Sequence, residues 1–248
     1  MTKKRIDILL KERGLAPSRE RAQALIMADQ VIVDDEPCTK PGTLVAEDVV
    51  VRLRSEDHGY VSRGALKLIA ALNEFKIDVQ GLQALDVGAS TGGFTEVLLE
   101  RKAKEVVALD VGHNQLDWKI RSNPKVKVIE KFNAKTMKSD DISGSPDVIV
   151  VDVSFISLTK IAEALARVSH TETVWITLIK PQFEVGPDSI EKGGIVKNLA
   201  ARERAIQNVT ECFQKYGRIR LGLITSPITG TDGNIEYLAY WKSAESKK

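Results

Sequence analysis

Cysteine is nearly missing from this chain of 248 residues: Cys38 and Cys212 stand alone, far apart, with no CxxC partner. A disulfide framework needs several closely spaced cysteines, and a zinc site needs thiolates or imidazoles at short spacing, so neither organises this fold. His58, His113 and His170 show no metal-ligand spacing to one another or to the cysteines, and no metal is expected. Long apolar runs are missing too. No segment approaches the ~18 consecutive apolar residues of a membrane helix, and the longest, such as 174–179, suit buried strands. Lys3, Lys4 and Arg5 precede only a short apolar patch that Asp7 and Lys11 interrupt, which is too broken for a signal-peptide core. A cytoplasmic protein without a membrane partner is expected.

A strong charge of one sign is the third absence. The formal net charge of +2 says nothing about nucleic acid until its distribution is read. Residues 1–28 carry Lys3, Lys4, Arg5, Lys11, Arg13, Arg19 and Arg21 against Asp7, Glu12 and Glu20. The next stretch reverses sign, setting Asp29, Asp34, Asp35, Glu36, Glu47 and Asp48 against Lys40 alone. What is present is otherwise ordinary: 43% hydrophobic and 28% charged residues, with length enough for one α/β domain and a small appendage.

The basic stretch is patterned. Ile6, Leu9 and Leu10 have the i, i+3, i+4 spacing of a short amphipathic helix that ends near Gly14. Ser18 is placed to cap a second helix, in which Ala22, Leu25 and Ile26 repeat that spacing and Arg19 and Arg21 occupy the first turn. Short strands follow at 31–33 and 49–53, with a turn at Pro41-Gly42. A module of this kind buries a small core and offers phosphates a basic helical face. A charge run alone is usually a solvated face. The text here, however, resembles an S4 RNA-binding domain over residues 4–54: Arg5-Ile6-Asp7-Ile8-Leu9-Leu10, Pro17-Ser18-Arg19, residues 22–28, Val31-Ile32-Val33 and Lys40-Pro41-Gly42. The resemblance implies RNA binding through Arg5, Arg13, Arg19 and Arg21. It departs at Asp29, Asp34 and Asp35, which stand where the family usually turns on glycine.

After a linker at 55–61, Ser62 is placed to cap a helix whose Ala65, Leu68, Ile69 and Leu72 form one apolar stripe. An apolar run at 82–87, the turn Gly88-Ala89-Ser90-Thr91-Gly92-Gly93 and a helix over 94–101 make a strand, glycine loop and helix, the arrangement that receives nucleotide-like ligands. No lysine follows Gly92 or Gly93, so the loop is not a P-loop, and the GxGxxG spacing of a dinucleotide site is absent. Asp86 stands two residues before Gly88, and the next strand, 106–109, ends in Asp110, placed to accept two ribose hydroxyls. Acid-x-Gly with a glycine pair resembles the first motif of class I methyltransferases. An NAD-dependent oxidoreductase would use similar parts, but the irregular glycine spacing and the basic first module speak against it.

The alternation continues with a helix at 114–121, strands at 126–129 and 148–151, a helix at 158–168, a strand at 174–179 and a helix at 199–216. Such alternation predicts a mostly parallel sheet with helices on both faces, and the closing runs 219–225 and 235–241 predict an antiparallel edge pair. Ligand-binding groups of open α/β sheets collect beyond the carboxyl ends of the strands. Asp152 and Lys180 each follow an apolar strand directly, and a charge there needs solvent in a cleft or an opposite partner.

Five stretches extend the resemblance to nearly the whole chain: Tyr60-Val61-Ser62-Arg63-Gly64-Ala65-Leu66-Lys67-Leu68, residues 86–95, Asp110-Val111-Gly112-His113-Asn114-Gln115-Leu116, Asp152-Val153-Ser154-Phe155-Ile156-Ser157 and Ile179-Lys180-Pro181-Gln182-Phe183-Glu184. They look like the TlyA family, FtsJ-like ribosomal RNA 2′-O-methyltransferases with an N-terminal S4 domain, some of them labelled hemolysins. The resemblance implies a class I, Rossmann-like α/β methyltransferase domain at 62–243, an S4-like α+β domain at 1–54 and a short tail at 244–248. It implies S-adenosyl-L-methionine as cofactor, and ribosomal RNA or ribosomal subunits as partner. The family's Lys-Asp-Lys-Glu tetrad falls on Lys67, Asp152, Lys180 and Glu236. Cofactor contacts fall on Asp86, Gly88, Ser90, Thr91, Gly92, Gly93, Phe94, Asp110, Asn133 and Asp152, and Arg63 joins the RNA-binding arginines. Asn133 stands where many methyltransferases place an acid.

Helix geometry by itself puts Lys67 opposite the apolar stripe, as a solvated lysine, and places Glu236 inside the last strand, where a solvent-facing glutamate is unremarkable. Lys180 is expected either to take the proton of a ribose hydroxyl or to orient that hydroxyl as a cation. Residues 184–194, with Gly186, Pro187, Gly193 and Gly194, are expected to form a mobile loop on the substrate side. The filled tetrad and intact glycine loop disfavour a decayed, non-enzymatic RNA-binding or ribosome-assembly protein. The lack of spanning segments disfavours a pore-forming hemolysin.

Overall fold

The computed structural model describes residues 3–27, 29–53, 59–142, 144–230 and 233–245. Arg54, His58, linker residues 55–58 and tail residues 246–248 lie outside the described residues. The chain divides into two compact units, Met1–Tyr60 and Val61–Lys248.

The first unit runs β1 (Lys3–Arg5), α1 (Ile6–Glu12), α2 (Arg19–Met27), β2 (Val31–Val33), β3 (Glu36–Pro37), β4 (Leu44–Ala46) and β5 (Val51–Leu53). β1 pairs with β4, and β2 lies between β3 and β5. The apolar positions expected on the two helices, Ile6, Leu9, Leu10, Ala22, Leu25 and Ile26, close over Val31 as one core. Ser18 caps α2, its hydroxyl accepting the Arg21 N–H at 3.1 Å. Asp29, Asp34 and Asp35 have φ of 56°, 46° and 66°. The acids therefore adopt the left-handed turn conformation that glycine would, and the Asp34 carboxylate supports it by accepting the Val50 N–H at 3.1 Å.

The second unit continues with α3 (Gly64–Glu74), β6 (Gln83–Val87), α4 (Gly93–Glu100), β7 (Glu105–Leu109), α5 (Trp118–Arg121), β8 (Val126–Ile129), β9 (Val148–Val151), α6 (Ala162–Arg167), β10 (Val174–Ile179), α7 (Pro181–Glu184), α8 (Leu199–Gln214), β11 (Arg218–Thr225) and β12 (Tyr237–Ser243). Its strands form a seven-stranded sheet in the order β11-β12-β10-β9-β6-β7-β8. β6 to β10 are parallel, and β12 runs antiparallel to both β10 and β11. Fully buried runs such as Val148–Val151 explain the order: a strand covered on both faces is apolar throughout and takes the sheet centre. Trp175 and Trp241 pack edge to face against Phe213 of α8. Both indole N–H groups are satisfied, by Ser169 at 2.8 Å and Thr177 at 2.9 Å.

Three local expectations are corrected. The helix expected at 114–121 shrinks to α5, because Asp117 caps it by accepting the Lys119 N–H at 2.8 Å while Asn114 turns left-handed at φ 55°. The helix expected at 158–168 is split into a 3-10 turn, Leu158–Lys160, and α6. Ser62 does not cap α3; that helix opens after Arg63 without a side-chain cap. The chain runs outward from β6 through β8 and then returns to β9 on the other side, so the strand order reverses between β6 and β9. Open α/β sheets place their ligand crevice at the carboxyl ends of such a reversal.

Candidate active site

Two strand ends approach closely at that reversal. Gly88, one residue past β6, has φ 87°, and a Cβ there would lie 2.3 Å from the Asp152 carbonyl oxygen, so any side chain would push β6 and β9 apart. Gly93 opens α4 against α3, where a Cβ would sit 2.2 Å from the Ser62 hydroxyl oxygen. That contact is the role Ser62 takes in place of a cap.

Above the strand ends lie two cavities. The larger, about 560 Å³, is bordered by Ser90, Asp110, Val111, Asn133, Ser154 and Phe155 among others. The smaller, about 260 Å³, is bordered by Arg63, Lys67, Thr91, Phe94, Lys180 and Glu236 among others. Gly88, Ser90 and Asp152 border both. The Asp110 carboxylate shapes the floor of the larger one, accepting the Ser90 N–H at 2.8 Å and the Gly112 N–H at 2.6 Å. Asn133 caps the short turn after β8 by accepting the Lys135 N–H at 3.1 Å.

Asp86 lies underneath, fully buried, and borders neither cavity. One carboxylate oxygen accepts from the Thr95 hydroxyl at 2.7 Å, and the other has no hydrogen-bond partner among the described residues. Burial pushes its pKa up to about 7, with the Asp152 charge adding to the effect and the Thr95 hydrogen bond opposing it. Because the folded-state value lies above the unfolded one of 3.8, the protonated form favours folding at low pH, and that contribution is lost as pH rises through about 7. Asp86→Asn removes the loss. Urea unfolding of the wild type should show stability falling between about pH 4 and pH 7 more steeply than that of the variant. Parallel pH profiles would refute this assignment.

Lys67, Asp152, Lys180 and Glu236 gather around the smaller cavity as two ion pairs. Lys67 Nζ stands 2.6 Å from Glu236 Oε2 and Lys180 Nζ 2.6 Å from Asp152 Oδ1. Expectation and structure differ here. Lys67 is only 7% exposed and Glu236 2%, and Glu236 lies one residue before β12 rather than within it. Gly230 makes room for it, since a Cβ there would be 2.6 Å from Glu236 Oε1.

Three contributors were missed in the sequence. Asn234, 1% exposed, receives the Val196 N–H and donates to the Gly194 carbonyl, both at 2.9 Å. Glu184, whose carboxyl burial holds above its usual range, accepts from the Ser157 hydroxyl at 2.5 Å and from the Leu158 N–H at 2.8 Å. The 184–194 loop is thus tied near both ends, at Glu184 and at Gly194. Ser154 is the third, accepting from Lys180 Nζ at 2.8 Å. Ser154 and Glu184 lie inside the motif text; Asn234 left no pattern to find.

In the first unit, Arg5 and Arg19 converge on the buried Asp7. Arg5 donates to it at 3.0 and 2.9 Å, Arg19 at 3.0 Å and Gln23 at 2.8 Å. The Arg5 guanidinium foremost holds the Asp7 carboxyl far below the usual carboxylate range, although burial opposes it. Both arginines keep an outer face, with side chains 41% and 46% exposed. Arg13 reaches the Glu47 and Val49 carbonyls at 2.5 and 2.6 Å, and Arg21 lies in the first turn of α2. Arg63 belongs to the second unit.

Comparison with known proteins bears on the same residues. The family described as FtsJ-like methyltransferase matches residues 60–243, and the S4 domain matches residues 4–51. The chain is 42% identical to the 16S/23S rRNA (cytidine-2′-O)-methyltransferase TlyA of Mycobacterium tuberculosis, over 96% of this chain and 90% of that protein. It is 41% identical to Hemolysin A of Brachyspira hyodysenteriae, over 96% of this chain and 99% of that one. A solved structure named "Putative hemolysin from Streptococcus thermophilus" superposes with a TM-score of 0.77 at 40% identity, covering 99% of this chain and 90% of that one.

Proposed function

The chain belongs to the FtsJ-like methyltransferase family and carries an S4 domain ahead of that region, and from this premise we propose that it transfers a methyl group from S-adenosylmethionine to a ribose 2′-hydroxyl of ribosomal RNA. The observation that carries the reading is Lys180 Nζ, held 2.6 Å from Asp152 at the seam of the two cavities. Family membership removes the nicotinamide alternative. Among the described residues no helix is long and apolar enough to cross a membrane, and no group of His, Cys, Asp or Glu could hold a metal ion.

The residues fit the cofactor. The larger cavity has the size of a small-molecule site, an apolar wall at Val111 and Phe155, and a carboxylate at Asp110 beside the glycine turn that a ribose can approach. Asp110, Ser90, Asn133 and Gly88 would hold the adenosyl part, with Thr91, Gly92, Gly93 and Phe94 following toward the smaller cavity. Asp86 supports the turn from below. When bound, the sulfonium supplies an electrophilic methyl group. Lys180 meets the acceptor hydroxyl and either takes its proton or steadies the oxyanion. Asp152 fixes Lys180, and Glu236 fixes Lys67 beside the same cavity. A site that bound both reactants in line would lower the barrier by removing their orientational freedom.

The division of labour we propose is an RNA-binding module at 1–54, a linker at 55–61, a methyltransferase domain at 62–243 and a tail at 244–248, working in the cytoplasm on ribosomal subunits or their RNA. Arg5, Arg13, Arg19 and Arg21 bind phosphates of a folded RNA, and Arg63 binds it at the rim of the smaller cavity. The experiment is incubation of ribosomal subunits and free ribosomal RNA with labelled S-adenosylmethionine, followed by mapping of the label. Label on a ribose supports the reading, and label confined to a base overturns it. A phosphate contact also has a salt signature: Arg21→Gln should weaken RNA binding evenly across sequences and lower the slope of log affinity against log salt by about one. An unchanged slope would remove Arg21 from the interface.

A further inference from the structure

Resting on that reading, we propose that Ser154, outside the Lys-Asp-Lys-Glu set, is the positioning residue that aims Lys180 at the acceptor hydroxyl. A lysine side-chain nitrogen has three directions besides its bond to carbon. Ser154 Oγ, accepting at 2.8 Å, takes one, while Asp152 Oδ1 at 2.6 Å makes an ion-pair contact out of hydrogen-bond alignment. Because the nitrogen turns about a single C–N bond, that one directional contact sets its rotation, and the direction left for the acceptor is then determined.

That direction matters because of where the three groups stand. Lys180 borders the smaller cavity, Ser154 the larger and Asp152 both. With one direction spent on Ser154 and the Asp152 charge drawing a second, the remaining one is available to the smaller cavity. It carries an N–H if Lys180 is a cation and a lone pair if it is neutral, so Ser154 serves either chemical role. The backbone keeps the short hydroxyl in place. Phe155, the next residue, takes φ 62°, a left-handed conformation uncommon for a large side chain. Glu184 ties the same loop, through Ser157 and Leu158, to α7, which begins immediately after Lys180. Ser154 and Lys180 therefore sit on two segments stapled together just beyond their contact.

The test uses the full-length protein and its Ser154→Ala and Ser154→Thr variants. Three quantities are read: single-turnover methyl transfer at saturating RNA and cofactor, equilibrium affinity for S-adenosylhomocysteine, and ¹⁵N NMR order of the Lys180 side-chain nitrogen. Ser154→Ala should slow transfer about tenfold or more, the range for losing a hydrogen bond to a charged group, while cofactor affinity stays within about twofold. Ser154→Thr keeps the hydroxyl and should recover most of the rate. The nitrogen should be ordered in the wild type and the threonine variant and mobile in the alanine variant. Wild-type transfer by Ser154→Ala overturns the proposal, as does a threonine variant as slow as the alanine one, or a rate loss matched by lost cofactor affinity. If the wild type labels no ribosomal RNA, the functional reading falls, and the NMR order judges the anchoring alone: equal order in wild type and Ser154→Ala overturns it.

Discussion

Replacing Lys180 with methionine is expected to slow methyl transfer by about a thousandfold or more while S-adenosylmethionine binding stays near normal. Methionine keeps the length and apolar stem of lysine and removes only the nitrogen, so the cavity walls remain. What is lost is the group 2.6 Å from Asp152 that can accept a proton or face an oxyanion. A 2′-hydroxyl is a poor nucleophile at neutral pH, and nothing else at the seam replaces that nitrogen. Lys180→Arg separates the two roles, because guanidinium keeps the charge and cannot act as a base. Substantial transfer by the arginine variant at neutral pH means orientation by a cation; its loss alongside intact binding means proton acceptance. Retention of activity within about tenfold by Lys180→Met would take Lys180 out of the chemistry altogether.

Parts of this site were legible in the sequence for a simple reason. β8, β9 and β10 fall on the expected residues, 126–129, 148–151 and 174–179, because apolar β-branched runs of that length fit little else in an alternating chain. Asp152 and Lys180 then stood out as charges at strand ends. Lys67 and Glu236 did not. Periodicity assumes that a helix buries one face, and on that assumption Lys67 points to solvent. In the folded chain it meets a carboxylate 169 residues away, and that pairing leaves no local trace. For the same reason Ser62, at a position typical of a cap, is used against Gly93, and Asn234 is invisible until Gly194 and Val196 are beside it. Local signals thus revealed the elements and the charges that end them; pairs made by distant segments came only through family resemblance.

The Lys67–Glu236 pair carries the second large effect, on stability as well as rate. Both groups are buried, so removing one leaves the other charge without its partner in a poorly solvated place. Glu236→Ala should cost about 3–5 kcal/mol. At about 2–4 °C per kcal/mol for a unit of this size, melting should fall by on the order of 10 °C. Glu236→Gln keeps the shape beside Gly230 and an oxygen for Lys67 to donate to, and should cost less. Combining Lys67→Met with Glu236→Gln removes both charges, so the double variant should be more stable than the sum of the single losses allows. Its methyl transfer should nevertheless stay low, because the smaller cavity then lacks the Lys67 cation. Additive losses in this cycle would mean that the two side chains do not act as a pair. Recovery of rate along with stability would confine the pair to a structural role and leave the chemistry to Asp152 and Lys180.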